Sequence, residues 1–179
     1  MKTYIALFRG INVGGNNMLP MKALKLLMEK NGCAGVQTYI QSGNVVFRNA
    51  TDAAGMAKKL TAAVSKGHGF EPRVVVLTCE EIENAAKGNP FPEAAENPAN
   101  VHLFFLAETP KNPDLKGIEA IKAKSERFAL KGRVFYMHTP EGLGTSKLAA
   151  RVERLLGVDA TARNWRTVTK LIELGKAVR

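Results

Sequence analysis

Hydrophobic and polar positions along the chain switch repeatedly between two spacings, and the switches outline the elements. Tyr4 to Phe8 is an unbroken apolar run and reads as a buried strand over 3–9. From Met21 onward, Met21, Leu24, Leu27 and Met28 recur at helical spacing, with Lys22, Lys25 and Glu29 on the other side. This predicts an amphipathic helix over 21–31, with Pro20 suited to its first turn and Gly32 to its stop. Two short runs, 36–40 and 44–48, flank Gln41-Ser42-Gly43, which is a hairpin signal. If Ile40 points into the core, Tyr39 and Gln41 share the other face. A helix over 52–66 follows, with Met56, Leu60 and Val64 on one side, and then an apolar strand over 73–78.

Strand, helix, hairpin, helix, strand is the ferredoxin-like order. Thr78-Cys79-Glu80-Glu81 matches a capping box and predicts one more helix, ending near Lys87. Asn89 to Pro98 is the richest proline and turn segment and marks a boundary. The division expected is a first subdomain at 1–88, a connection at 89–100 and a second subdomain at 101–179. In the second, the order repeats: a strand over 101–106, a helix over 113–123, a hairpin from 127–131 and 133–138, and a helix over 145–156. Ser42-Gly43-Asn44-Val45-Val46-Phe47 aligns with Lys131-Gly132-Arg133-Val134-Phe135-Tyr136, a further sign of internal duplication. No last strand is visible in the second copy, which ends in a helix over 165–176. The fold class expected is α+β, with two ferredoxin-like subdomains.

Composition narrows the setting. Hydrophobic residues make up 45% of the 179, enough for a packed core. No stretch nears the roughly 20 apolar residues of a spanning helix. The first apolar run stops at Arg9, too soon for a signal-peptide core. A soluble, cytoplasmic protein without membrane association is expected. Cys33 and Cys79 are far apart and expected to be buried thiols rather than a disulfide or metal site. His68, His102 and His138 lack metal-ligand spacing, and no paired carboxylates suggest metal-assisted or glycosidic chemistry. No metal and no cofactor are expected.

The net charge of +10 does change the picture, because it favours encounters with phosphate-rich partners. Three constellations then gain interest. Arg9-Gly10-Ile11-Asn12-Val13-Gly14-Gly15-Asn16-Asn17 links the first strand to the first helix, and bare glycine backbone can approach a ligand closely. It matches neither standard phosphate-loop motif. Arg9 serves equally as an ion-pair partner that orders the loop, and the asparagines as turn formers. The second is Tyr39 to Asn44, where Gln41, Ser42 and Asn44 fall near Arg9 if the hairpin neighbours the first strand. Ser42 has no partner spacing for a nucleophile. The third is Gly142-Leu143-Gly144-Thr145-Ser146-Lys147, opening a helix as either an anion cup or an ordinary cap. Basic stripes continue from it: Lys147, Arg151 and Arg154 on that helix, then Arg163, Arg166 and Lys170 on the last one.

The segments Arg9 to Gly15, Tyr39 to Phe47, Ser146-Lys147-Leu148 and Arg163-Asn164-Trp165 with Thr167 resemble a bacterial family catalogued as domain of unknown function 1697. The resemblance implies two ferredoxin-like subdomains intertwined by exchange of terminal elements. Such an exchange could supply the strand missing from the second copy. The resemblance implies no reaction, cofactor or catalytic residue.

The leading expectation is an anionic ligand, nucleic acid or a nucleotide. It would be held by Arg9, Asn12, Gly14, Gly15, Gln41, Ser42, Asn44, Lys147, Arg163 and Arg166, from segments meeting at a common cleft. The alternative is an enzyme acting on a small phosphorylated or acyl substrate near Arg9 and Ser42. A third reading is a partner-binding module with an apolar edge at Phe91, Pro92 and Phe128. The strands carry no aromatic RNA-binding signature, and nothing in the sequence fixes the oligomeric state.

Overall fold

A computed structural model describes residues 1–178. The chain divides into two compact units: Met1–Glu83 with the chain from Lys170 onward, and Asn84–Thr169.

In the first unit, β1 (Lys2–Arg9), α1 (Met21–Lys30), β2 (Ala34–Tyr39), β3 (Asn44–Asn49), α2 (Ala53–His68) and β4 (Arg73–Thr78) follow one another. The four strands form a sheet in the order β2-β3-β1-β4. β1 is central because its residues are apolar on both sides, and it pairs antiparallel with β3 and with β4. Tyr4, Ala6, Phe8, Val45, Phe47 and Val76 bury one face against Leu24 and Met28 of α1 and Met56, Leu60 and Val64 of α2. Each such large side chain contributes about 1.5–3 kcal/mol on burial. Ile5, Leu7, Val46, Val75 and Leu77 alternate onto the opposite face and are buried as well. Asp52 caps α2 by accepting from the Gly55 amide at 2.7 Å.

Helix α3 (Cys79–Lys87) starts with the expected capping box. The Thr78 amide donates to Glu81 Oε2 at 2.7 Å, and the Glu81 amide donates to Thr78 Oγ1 at 3.1 Å.

The second unit contains β5 (Val101–Leu106), α4 (Leu115–Ile121), β6 (Arg127–Lys131), β7 (Val134–His138), α5 (Val152–Leu156) and β8 (Ala160–Asn164). Its sheet order, β6-β7-β5-β8, repeats the first if the strands are counted from β5. Phe104, Phe135 and Met137 pack with Ile118, Val152, Leu155 and Leu156. Val101, Leu103, Phe105 and Tyr136 are buried on the other face. Helix α6 (Trp165–Val178) ends the described chain.

Three expectations are corrected. The second copy does have a last strand of its own: β8 pairs with β5 from His102↔Asn164 to Leu106↔Ala160. Ala-Thr-Ala-Arg-Asn has no apolar run, so pairing rather than pattern defines it, and Arg163 lies on this strand rather than on the last helix. The helix expected over 145–156 is broken into 3-10 turns at Leu143–Thr145 and Ala149–Arg151 and the short α5. The chain leaves helical geometry at Ser146 (φ −74°, ψ 117°), just after Gly144, and again at Arg151 (φ −122°, ψ 5°), which no proline or glycine marks. The third concerns Ile40, which faces solvent.

Candidate functional site

The structure brings the first two constellations together at the end of the first sheet. The turn Val13–Asn16 is closed by the Asn16 amide donating to Val13 O at 2.9 Å. Gly14 (φ 57°) and Gly15 (φ 77°) occupy its centre, where two successive positive φ angles favour glycine. Both glycines are exposed, and among the described residues neither backbone N–H has an internal acceptor.

Asn12 is the clasp. Its Nδ2 donates to Leu19 O at 2.9 Å and to Gln41 O at 3.0 Å, while its Oδ1 accepts from the Leu19 amide at 2.7 Å. Asn12 itself has φ 54°, a conformation that asparagine tolerates better than most residues. Asn17 Nδ2 adds a bond to Gly10 O at 2.8 Å. On the hairpin side Asn44 is fully buried, and its Nδ2 donates to Tyr39 O at 3.2 Å and to Ser42 Oγ at 2.8 Å. The polar groups of Asn12 and Asn44 thus serve the architecture of the loops. Gln41 and Ser42 are exposed beside them.

Gly43 explains the close fit. A Cβ there would lie 2.6 Å from Phe8 Cβ and 2.8 Å from Ile11 Cδ1, so the turn can press onto β1 only with glycine. Phe8 donates its amide to Gly43 O at 2.8 Å. Arg9, half-buried, pairs in register with Arg73 across the β1–β4 ladder. Two like charges directly opposite repel, and both arginines have further interactions within the chain.

Ile40 corrects the expected hairpin geometry. It has φ 49° and is 51% exposed, so it neither extends β2 nor reaches the core. A β-branched residue in the left-handed region is strained. Val13 and Met18, 65% and 59% exposed, lie in the adjoining loop.

The third constellation lies in the second unit. Thr145 Oγ1 donates to Glu141 O and Gly142 O, both at 3.2 Å, and Ser146 Oγ accepts from the Ala149 amide at 3.0 Å. Gly142–Lys147 therefore closes a local turn and does not open a long helix. Lys147 and Arg166 are exposed, whereas Arg163 is half-buried and donates to Ala162 O at 2.8 Å. Burial pushes the Arg163 guanidinium down to about 10, which leaves it charged at neutral pH.

Polar clusters that sequence reasoning passed over also occur in the second unit. Arg127 lies 5.1 Å over the Phe91 ring, forms an ion pair with Glu93 and meets His138 Nδ1 at 3.1 Å. Their spacing in sequence gave no signal, because β6–β7 pairing creates the contact. Of the apolar edge expected at Phe91, Pro92 and Phe128, Phe91 is buried beneath this cluster, Phe128 is half-buried and stacks on Phe135 at 5.6 Å, and Pro92 is exposed. His102 is buried, which pushes its pKa down to about 4. Cys33 and Cys79 are buried thiols, neither in a disulfide, and burial raises the Cys33 thiol to about 11. Among the described residues, no three His, Cys, Asp or Glu side chains gather to hold a metal. No helix among them is long and apolar enough to cross a membrane.

Two α+β units, each with a four-stranded antiparallel sheet, define the structural class. The chain belongs to the family described as a protein of unknown function (DUF1697), whose model matches residues 1–136. The motifs at 146–148 and 163–167 fall beyond that match. The structure is similar to that of the conserved bacterial protein SP0830 from Streptococcus pneumoniae, with a TM-score of 0.69 and 23% identity. That similarity covers 97% of this chain and 98% of the other, and it establishes a shared fold. No protein of curated function matches the sequence.

Proposed function

We propose that this protein binds a phosphate-bearing anion, nucleic acid or a nucleotide, where β1 runs into the Arg9–Asn17 loop. The observation that carries the reading is the pairing of Arg9 with Arg73 beside a loop whose Gly14 and Gly15 amides have no internal acceptor. Backbone amides and paired guanidiniums are the groups that hold phosphate oxygens in a water-exposed cup. Gln41 and Ser42 add donors from the neighbouring turn. Asn12 and Asn44 hold the cup in shape, and Lys147, Arg163 and Arg166 contribute to a molecule of net charge +10. Contact runs through phosphate rather than base stacking, because the aromatics of the central strands, Tyr4, Phe8, Phe47, Phe104, Phe105, Phe135 and Tyr136, are buried and offer no open platform.

The same reading treats the units as ferredoxin-like copies of one duplicated ancestor. It is supported by their common strand order and by Gly43 and Gly132, both with positive φ ahead of the third strand. The grouping of Lys170 onward with the first unit is consistent with an exchanged terminal element.

Fluorescence anisotropy with labelled single-stranded RNA and DNA across a salt series tests the binding. Affinity is expected to fall steeply with salt, and Arg9→Gln to weaken it at every salt concentration. An absence of binding at low salt by RNA, DNA and nucleotides alike would end the proposal.

A further inference from the structure

Arg48 is the only exposed residue of β3, an interior strand paired on both sides. It lines two hollows. The first, about 510 Å³, is bounded by Lys25 and Glu29 of α1, by Gly35, Val36 and Gln37 of β2, and by Ala177 and Val178. The second, about 410 Å³, is bounded by Lys2, Thr3, Thr78, Cys79 and Glu80, with Met1. Both volumes fall within the range of small-molecule sites, about 300–1,000 Å³.

Among the described residues Arg48 forms no ion pair or hydrogen bond through its side chain, and Lys2 forms none either. Lys25 pairs with Glu29 at 4.0 Å. The fold makes room for the guanidinium at a bulge in the edge strand between Ala34 and Gln37. A Cβ on Gly35, whose φ is 61°, would lie 3.2 Å from Val178 Cγ1 and 3.8 Å from Arg48 Nε.

Register also separates this place from the loop discussed above. Arg48 is opposite Thr3 at the start of β1, whereas the loop leaves from Arg9. Six strand residues span about 20 Å, so one small ligand cannot bridge the two.

We infer a second, independent binding site centred on Arg48, for a small phosphorylated molecule that carries hydroxyl groups. The planar guanidinium matches a phosphate with two parallel hydrogen bonds. Lys2 and Lys25 add positive charge from either side. The Gln37 amide and the Glu29 carboxylate suit hydroxyls, which a bare phosphate lacks. Concave walls on both sides favour a compact sugar phosphate over an extended polyanion.

Amide NMR titrations at constant ionic strength, with ribose 5-phosphate and with inorganic phosphate, test the site. Ribose 5-phosphate is expected to shift the Gly35, Gln37 and Arg48 amides in a saturable way, and inorganic phosphate to do so more weakly. Arg48→Gln is expected to weaken ribose 5-phosphate binding about tenfold or more. Arg48→Lys, which keeps the charge but loses the fork, should also weaken it, and Arg9→Gln should leave it unchanged. Unmoved or non-saturating amides around Arg48, or full affinity in Arg48→Gln, would overturn the inference. Equal binding of the two probes would refute the hydroxyl-bearing ligand class.

Discussion

Replacing Asn12 by alanine tests whether one side chain holds the glycine loop against the hairpin. Three hydrogen bonds disappear, at 2.7, 2.9 and 3.0 Å. Two of them satisfy the backbone of Leu19, which is fully buried and cannot turn to water. At about 0.5–1.5 kcal/mol each, with the bond to exposed Gln41 at the low end, their loss costs about 2 kcal/mol. Alanine must also adopt the φ of 54°, adding about 1 kcal/mol. The total for Asn12→Ala is about 3 kcal/mol. Asn12→Gly removes the same bonds but tolerates the backbone, so it should cost about 2 kcal/mol. Urea unfolding followed by circular dichroism reads both, and hydrogen exchange should show Leu19 losing protection first. A cost below about 1 kcal/mol for Asn12→Ala, well under the sum of these terms, would refute the clasp.

Other substitutions probe the surrounding geometry. Ile40→Gly relieves left-handed strain of about 1–2 kcal/mol, but it gives up the covered half of the side chain and adds the entropy cost of glycine, about 0.5–1 kcal/mol, so the urea midpoint should move little. A loss of more than about 2 kcal/mol in urea unfolding would contradict the strain. Gly43→Ala drives a Cβ to 2.6 Å from Phe8 and should cost about 3 kcal/mol, measurable by thermal or urea unfolding. Buried His102 stays neutral down to about pH 4, while the unfolded chain takes up its proton near pH 6.5. The unfolded state therefore binds more protons in that window. His102 favours folding fully above pH 6.5, and up to about 3 kcal/mol of stability is lost between pH 6.5 and pH 4. His102→Gln should flatten that part of the pH–stability curve, and an unchanged slope would contradict the assignment.

Much of the architecture was legible because the signals are local. The apolar run of β1, the helical spacing in α1 and α2, and the capping box at Thr78 and Glu81 each depend on neighbours within a few residues. Elements defined by distant partners were not legible. Strand β8 has no apolar pattern and exists through its ladder with β5. The long helix expected from Thr145 breaks at once at Ser146 and again at Arg151, with no proline at either.

The candidate site divides in the same way. Strand order placed the Gln41 turn beside the end of β1, and the Asn12–Gln41 contact realises that proximity. The roles of Asn12 and Asn44 as scaffolding could not be read, since an asparagine that clasps two loops looks the same in sequence as one that faces a ligand. The hollows around Arg48 depend on a bulge and on the docked end of α6, so a sequence pattern could not mark them.

The most direct measurement is a crystal structure grown with a short oligonucleotide or pyrophosphate. Phosphate oxygens within hydrogen-bonding distance of the Gly14 and Gly15 amides, with Arg9 or Arg73 alongside, is the predicted result. Phosphates bound only elsewhere, with those amides facing bulk water, would contradict the assignment of this loop.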